Sequence, residues 1–317
     1  AVEKIRKLFP PLIAGTVVFT IGLSLYPIAV RYMAGGSTLY KVNGEVVPFG
    51  SWQYWAVAFI TLISVIIFNQ FTKGFLKLAS ILAGLIVGYI AALFFGMINF
   101  NSVINAGIFQ APSFLPFGIM FEPSACIAIA LLFAVNSVQA IGDFSATTSG
   151  GLDRMPTDKE LKCGITAYGF TNILSALFGC LPTATYSQNV GIVATTKVVN
   201  RVVLGIAAII ILIAGLFPKF SALLTTIPSC VLGGATITVF ASITMTGIKL
   251  VFTENMGARN TLIVGLSVAL GMGVVQVGGA LQYFPAWVKT VFGSSPVVIA
   301  TCSSIILNVV LPKEEKK

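Results

Sequence analysis

The feature that most limits what this chain can fold into is a succession of apolar stretches. Each is long enough to cross a bilayer as a helix, which takes roughly 18 to 25 residues. They lie near 12–33, 53–70, 76–97, 123–148, 160–179, 199–218, 230–252, 261–283 and 292–311. Hydrophobic residues make up 56% of the 317 and charged residues only 9%, against about a quarter charged in soluble domains. So little charge cannot cover a water-facing surface, and the expected class is an all-α polytopic membrane protein. The stretch from Gln188 to Lys197 is too short to span alone; counted as a half-length crossing, it brings the expected segments to ten.

Positive charge orients such a chain, because short cytoplasmic loops are enriched in Lys and Arg. With the amino end inside, Lys4, Arg6, Lys7, Lys73, Lys77, Arg154, Lys159, Lys162, Lys197, Arg201, Lys249, Arg259, Lys313, Lys316 and Lys317 fall inside, and only Arg31, Lys41, Lys219 and Lys289 fall outside. That bias of fifteen to four holds only if 188–197 is counted as a crossing, and it places both ends of the chain in the cytoplasm. The net charge of +9 therefore reads as topology and contact with anionic lipid. It argues against a nucleic-acid partner, since no soluble domain carries a basic face.

Other chemistry is excluded or weak. The chain has no His, which removes His-based catalysis, metal ligation and proton relays. Cys126, Cys163, Cys180, Cys230 and Cys302 are scattered without CxxC spacing and are expected to be small packing residues. Asp153 and Asp158, in "GGLDRMPTDKELK", are the acids a membrane prenyl- or phosphotransferase would need for a metal. Thr157 followed by Glu160, with Pro156 before it, instead has the spacing of a capping box at a helix start. No metal site, cofactor or enzymatic activity is expected. The amino-terminal "AVEKIRKLFPP" is a basic amphipathic lead-in without an initiator Met or a signal-peptide pattern.

Two internal features carry the functional reading. First, "FPPLIAGTVV" at 9–18 resembles "IPSCVLGGAT" at 227–236, with Pro10 and Pro228 each five residues before Gly15 and Gly233; many transporters are inverted repeats of this kind. If the repeat holds, the second half has seven segments and the first only three, so four helices would be missing from the amino end and the chain would be a fragment. Second, polar groups collect at membrane depth. Asn136, Gln139 and Asp143 share one helical face in "AVNSVQAIGD", and Asp143 is the one acid inside a span. Facing lipid, an ion there would cost about 2.5–3.5 kcal/mol or more, so the stripe should face protein. The alternative is a hydrogen-bonded seam between helices. In "PTATYSQNVGIVATTK", Pro182 stops the preceding helix and 182–187 is expected to be extended, with helix resuming near Gln188. Unpaired backbone is costly in hydrocarbon, so this segment should pair with another extended one and build a substrate site at mid-membrane.

The run "QNVGIVATTK" fits the signature of the nucleobase-ascorbate transporter family (nucleobase/cation symporters, xanthine/uracil permeases): Gln, Glu or Pro, then Asn, any residue, Gly, four of any kind, Thr, and Arg, Lys or Gly. Gln188, Asn189, Gly191, Thr196 and Lys197 occupy every fixed position. "QAIGD" also resembles that family's E-x-x-G-D, and the likeness runs the length of the chain. The resemblance implies a fold of seven plus seven inverted segments, with short extended segments before broken helices, of which this chain matches segments 5 to 14. Residues 1–122 would be gate helices of the first repeat, 123–226 the core helices with the substrate site, and 227–317 the gate helices of the second repeat. It implies substrate binding by Gln139, Gln188, Asn189, Tyr186, Ser187 and Phe240, and ion coupling through Asp143. Gln at 188 is similar to the xanthine/urate branch, where the uracil branch has Glu. Gln139 replaces a substrate-binding Glu, and Tyr168 stands where several purine members have an acid. Both departures weaken proton coupling, since an amide carries no proton at physiological pH.

The resulting expectation is a secondary active symporter of a nucleobase, xanthine, urate or a related purine, in the cell membrane. Its partners would be the base, a coupling cation (a proton), membrane lipid and a second copy in a homodimer. Competing readings are a uracil permease, a non-coupled nucleobase facilitator, a sulfate-type anion transporter and the membrane transferase.

Overall fold

The computed structural model describes residues 10–37, 41–42, 45–186, 189, 193, 196–277, 279–285, 288–289, 292–293 and 295–312. The helices in chain order are α1 (Pro11–Met33), α2 (Trp52–Phe71), α3 (Phe75–Leu78), α4 (Ser80–Phe94), α5 (Asn101–Asn105), α6 (Pro123–Leu152), α7 (Asp158–Leu177), α8 (Arg201–Gly215), α9 (Pro218–Thr225), α10 (Ser229–Val251), α11 (Ala258–Gln276) and α12 (Pro296–Val310). The sole sheet among the described residues is a hairpin of β1 (Lys41–Val42) with β2 (Glu45–Val46), antiparallel. Among the described residues the regular structure is therefore helical apart from the four residues of this hairpin.

All nine stretches contain helix, but fewer are complete spans than the count of ten. Among the described residues five helical runs are long and apolar enough to cross a membrane: Pro11–Met33, Trp52–Phe71, Ala125–Leu152, Ser229–Val251 and Ala258–Gln276. A sixth arises if α8 and α9, bent by 84° between them, count as one. That bend falls where Pro218 starts α9 at its first turn, a position that suits a residue without an N–H. α4 and α12 have 15 residues each, about 22 Å at 1.5 Å per residue, short of a hydrocarbon core of about 30 Å. α7 starts on a capping box in which Thr157 accepts from the Glu160 N–H and Glu160 accepts from the Thr157 N–H, as the spacing predicts.

Contacts divide the chain into two compact units. One comprises residues 1–24, 113–199 and 242–317, the other 25–112 and 200–241. In the second unit, Tyr54 is 1% exposed, donates its hydroxyl to the Val47 carbonyl at 3.0 Å, and packs among Met33, Val57, Ala58, Ala92, Met97, Cys230 and Val231. Cys230 is thus a packing residue as expected; Cys126, Cys163 and Cys180 are exposed and do not pack a protein core. In the first unit, Ile13, Val17 and Val297 form one buried cluster and Leu12, Val251 and Ile263 another.

Glycines let helices touch backbone to backbone. Within the first unit, a Cβ on Gly15 would lie 2.6 Å from the Val251 N, on Gly22 2.6 Å from the Thr244 N, and on Gly247 2.3 Å from the Phe19 N. The pairs run in opposite order, so this part of α1 is antiparallel to this part of α10. Within the second unit, Gly233 makes the same kind of approach to the Met33 N at 2.4 Å. The Gly15–Val251 and Gly233–Met33 pairs map onto each other by one displacement, 233 − 15 = 218 and 251 − 33 = 218, with the partners exchanged.

Much of the apolar surface is exposed. Every residue of α8 from Arg201 to Ile213 is exposed, and Phe94, Phe71 and Ile211 are 88%, 81% and 72% exposed. Such faces suit hydrocarbon, where apolar side chains lose nothing by facing outward.

Candidate functional site

The site is built around the break after α7. Gly179, at φ +68°, turns the chain through a conformation that glycine takes without steric cost. Residues 180–186 are then non-helical, and helix is present again at Asn189, Val193 and Thr196. Pro182 has no N–H to pair. Thr183 follows with both backbone groups to satisfy, and α7 satisfies both. Its N–H donates to Asn172 Oδ1 at 2.8 Å, and its carbonyl accepts from the Tyr168 hydroxyl at 2.6 Å. Asn172 is itself held by its Nδ2 donating to the Tyr168 carbonyl at 3.0 Å. Thr183 is thus held by two side chains four residues apart on one helical face; the extended segment expected to pair with 182–187 is one that the missing helices would supply.

α6 supplies the other side. The Asn136 Nδ2 donates to the Tyr168 hydroxyl, Gln139 Nε2 makes a long contact of 3.5 Å to the Thr185 carbonyl, and Asp143 Oδ2 accepts from the Thr185 hydroxyl at 2.6 Å. The stripe therefore does both things weighed from the sequence. Asn136 joins α6 to α7 as a seam, while Gln139 and Asp143 reach the non-helical segment. Asp143 is buried, at 9% exposure.

Two cavities flank this segment within the first unit. One, of about 450 Å³, is lined by Val18, Ile21, Ile129, Leu132, Phe133, Asn136, Gln139, Pro182, Ala184, Thr185, Tyr186, Ser242, Ile243, Thr246 and Val297. The other, of about 440 Å³, is lined by Asp143, Phe144, Thr147, Thr148, Pro156, Glu160, Leu161, Gly164, Ala184, Thr185, Tyr186 and Asn189. Ala184, Thr185 and Tyr186 are common to both. Among the described lining residues of the first cavity, Tyr186 alone is ionisable, and the rest are apolar or neutral hydrogen-bonding groups. Such a wall can orient a neutral planar molecule by hydrogen bonds and contact; it holds no activated nucleophile or acid–base pair.

The expected site residues divide accordingly. Gln139 and Tyr186 line the first cavity, and Asp143, Tyr186 and Asn189 the second. Phe240 is half-buried on the part of α10 that belongs to the other unit and is not among the described lining residues; Ser242, Ile243 and Thr246 of the same helix are. Ser187 and Gln188 lie outside the described residues. Sequence reading missed Asn172, Ser242 and Thr246. Their one signal was spacing: Asn172 is four residues from Tyr168, and Thr246 four from Ser242.

Glu160, which lines the second cavity, and Asp153 are both in ion pairs. Asp153 ends α6 in the left-handed region (φ 54°, ψ 29°), and its carboxylate pairs with Lys197 Nζ at 2.7 Å. Arg154 forks onto both Glu160 carboxylate oxygens at 2.9 and 2.7 Å. These hydrogen bonds, with those from the Thr157 N–H and hydroxyl, hold the Glu160 carboxyl down to about 2 and raise the Arg154 guanidinium above its usual range. Asp153 is thus committed to Lys197. Among the described residues no three His, Cys, Asp or Glu side chains cluster as a metal would need.

A sequence model of the xanthine/uracil permeases, described as the permease family, matches residues 1–279. The uric acid permease PucJ of Bacillus subtilis is 35% identical over 318 aligned positions, covering 99% of this chain and 70% of the relative. The xanthine permease XanQ of Escherichia coli is 34% identical over 313, covering 97% and 66%, and XanP of the same species, also a xanthine permease, is 32% identical over 317, covering 98% and 67%. The chain spans about two thirds of the length of these relatives, all of them permeases rather than enzymes.

Proposed function

The chain belongs to the xanthine/uracil permease family, a family of multi-pass membrane transporters, and we propose that it carries a nucleobase, xanthine, urate or a related purine, across the cell membrane as a secondary active symporter. The observation that carries this reading is the cavity of about 450 Å³ walled by neutral amides and hydroxyls beside a non-helical segment. A purine is planar and edged with alternating donors and acceptors, which amides match. The names of the relatives, uric acid and xanthine permeases, favour the purine class over uracil.

In this reading the base binds against Gln139, Tyr186, Ser187, Gln188 and Asn189, and Phe240 is a further substrate-binding residue. Asp143 carries the coupling proton. Its bond to the Thr185 hydroxyl ties that proton to the segment that touches substrate. The fold is two inverted repeats of seven segments, this chain being segments 5 to 14. Its ten segments divide into gate (1–122), core (123–226) and gate (227–317), both ends are cytoplasmic, and the protein assembles as a homodimer in lipid. The exchange of glycine-contact partners by a displacement of 218 residues supports the inverted repeat. A second reading, facilitated transport without coupling, is favoured by Gln139 and Tyr168, which stand where proton-carrying acids would serve.

Uptake of radiolabelled xanthine by cells expressing the protein, competed by unlabelled bases and by sulfate, tests the proposal. Saturable uptake blocked by purines and unaffected by sulfate is the expected result. Sulfate uptake with no uptake of any base would overturn it.

A further inference from the structure

Two cavities share the wall made by residues 184–186, and they differ in kind. Among the described residues no carboxylate lines the first. Two line the second, Asp143 and Glu160, together with Thr147, Thr148 and Thr185. Asp143 is 9% exposed and the Glu160 side chain 47% exposed, so this one space reaches from a buried carboxylate to the protein surface. At about 440 Å³ it has room for several waters, and its polar wall gives them partners. Glu160 is no carrier of protons there, because Arg154 holds both of its carboxylate oxygens. Tyr186 is the other ionisable residue on the described wall. Thr185 stands between the two spaces. Its hydroxyl donates to Asp143 Oδ2 at 2.6 Å, and Asp143 lines only the second cavity. Its carbonyl lies 3.5 Å from Gln139 Nε2, and Gln139 lines only the first. A hydroxyl bonds more strongly to a carboxylate than to a neutral carboxyl, so the charge on Asp143 sets how firmly the Thr185 side chain is held.

We propose that the coupling ion and the base take separate routes: the second cavity is a hydrated path that brings a proton to Asp143, and Thr185 is the positioning residue that passes its arrival to the base cavity. This rests on the symport reading above and adds to it the ion's route and the residue that joins the two sites. The step is a proton transfer from hydronium to a carboxylate oxygen of Asp143, leaving water in the path. Neutralised, Asp143 holds the Thr185 hydroxyl less firmly, and the segment that walls both cavities is released on its ion side. The loop with Arg154 and Lys159, expected in the cytoplasm, puts the open end of the path on that side.

Three variants test this against the wild type. Thr185→Val keeps the shape and the carbonyl but removes the hydroxyl, and Thr185→Ser keeps the hydroxyl. Thr147→Phe fills the second cavity one turn along α6 from Asp143 and does not touch the first. Each protein is reconstituted in vesicles with the membrane potential clamped. Xanthine exchange is measured at equal pH, and accumulation under an imposed gradient of about one pH unit, which drives about tenfold accumulation at one proton per base. The wild type and Thr185→Ser should reach that level. Thr185→Val and Thr147→Phe should stop where inside and outside concentrations are equal, while still exchanging xanthine with a KM within about fivefold of wild type, the scale of one hydrogen bond. Full accumulation by Thr185→Val or Thr147→Phe overturns the proposal. So does a loss in Thr185→Ser equal to that in Thr185→Val, or loss of exchange along with accumulation in both Thr185→Val and Thr147→Phe, the mark of a merely structural role. A wild type that exchanges xanthine without accumulating it overturns the symport reading itself, an outcome distinct from symport that survives in the variants.

Discussion

Replacing Asn172 by Ala removes the acceptor that holds the Thr183 N–H and leaves the rest of α7 in place. Asn172 is only 8% exposed, so water cannot readily take over its role at 2.8 Å from the Thr183 nitrogen. An orphaned buried N–H costs about 1–3 kcal/mol. The second bond of Asn172, to the Tyr168 carbonyl, adds little, because that carbonyl lies inside α7 where the helix ladder already serves it. The whole cost falls on the position of residues 182–186, of which Ala184, Thr185 and Tyr186 line both cavities. The population with this segment in place should drop by a factor of about 5 to 150, the equivalent of 1–3 kcal/mol. Xanthine uptake should show a KM raised within that range and a lowered midpoint of thermal unfolding in detergent. Thr171→Ala is the control: its exposed hydroxyl bonds only within α7, to the Ala167 carbonyl, and it should behave as wild type. Asn172→Ala indistinguishable from Thr171→Ala in both KM and midpoint would refute the claim that Asn172 holds this segment in place.

Gly247→Ala should destabilise by about 1–3 kcal/mol, because its Cβ would fall 2.3 Å from the Phe19 nitrogen, whereas Gly205→Ala, with nothing within 4 Å, should be neutral; equal unfolding midpoints would remove the close helix crossing from the account. Asp143→Asn should exchange purine but not accumulate it, and accumulation in the wild type should collapse with a protonophore; accumulation by the variant equal to wild type would take Asp143 out of coupling. Glu160 is held at about 2, below its ordinary 4.5, so the stabilisation from its clip to Arg154 is present above about 4.5 and is lost as pH falls from there through about 2. Glu160→Gln should therefore lose the part of the acid sensitivity, read as unfolding midpoint against pH, that the wild type shows in that window; identical profiles would contradict the assignment.

The helices were legible in the apolar stretches, and the start of α7 in the Thr157 and Glu160 spacing, because both depend on neighbours within a turn or two. The break at 182–186 was legible for the same reason, in Pro182 and Gly179. What pairs Thr183 was not. Asn172 and Tyr168 sit 11 and 15 residues upstream, and they reach Thr183 only because the turn at Gly179 folds the chain back along α7, a geometry no periodicity encodes. Helix lengths were overread at the ends of apolar runs, as at 76–97, where α4 covers Ser80–Phe94. Ser242 and Thr246 were passed over because hydroxyls that bond within a helix, as Thr246 does to the Ser242 carbonyl, look like ordinary membrane-helix residues until a cavity opens beside them.

The most direct test of the central claim, that the cavity between α6, the non-helical segment and the second half of α10 holds the purine, is equilibrium binding of labelled xanthine to purified protein, wild type against Ser242→Trp. Ser242 lines that cavity and takes no part in the second one, so a Trp there fills the space without touching Asp143 or the Thr183 bonds. The account predicts saturable binding by the wild type and its loss in the variant, with the unfolding midpoint retained. Equal xanthine affinity in the two proteins would place the substrate elsewhere and contradict the account.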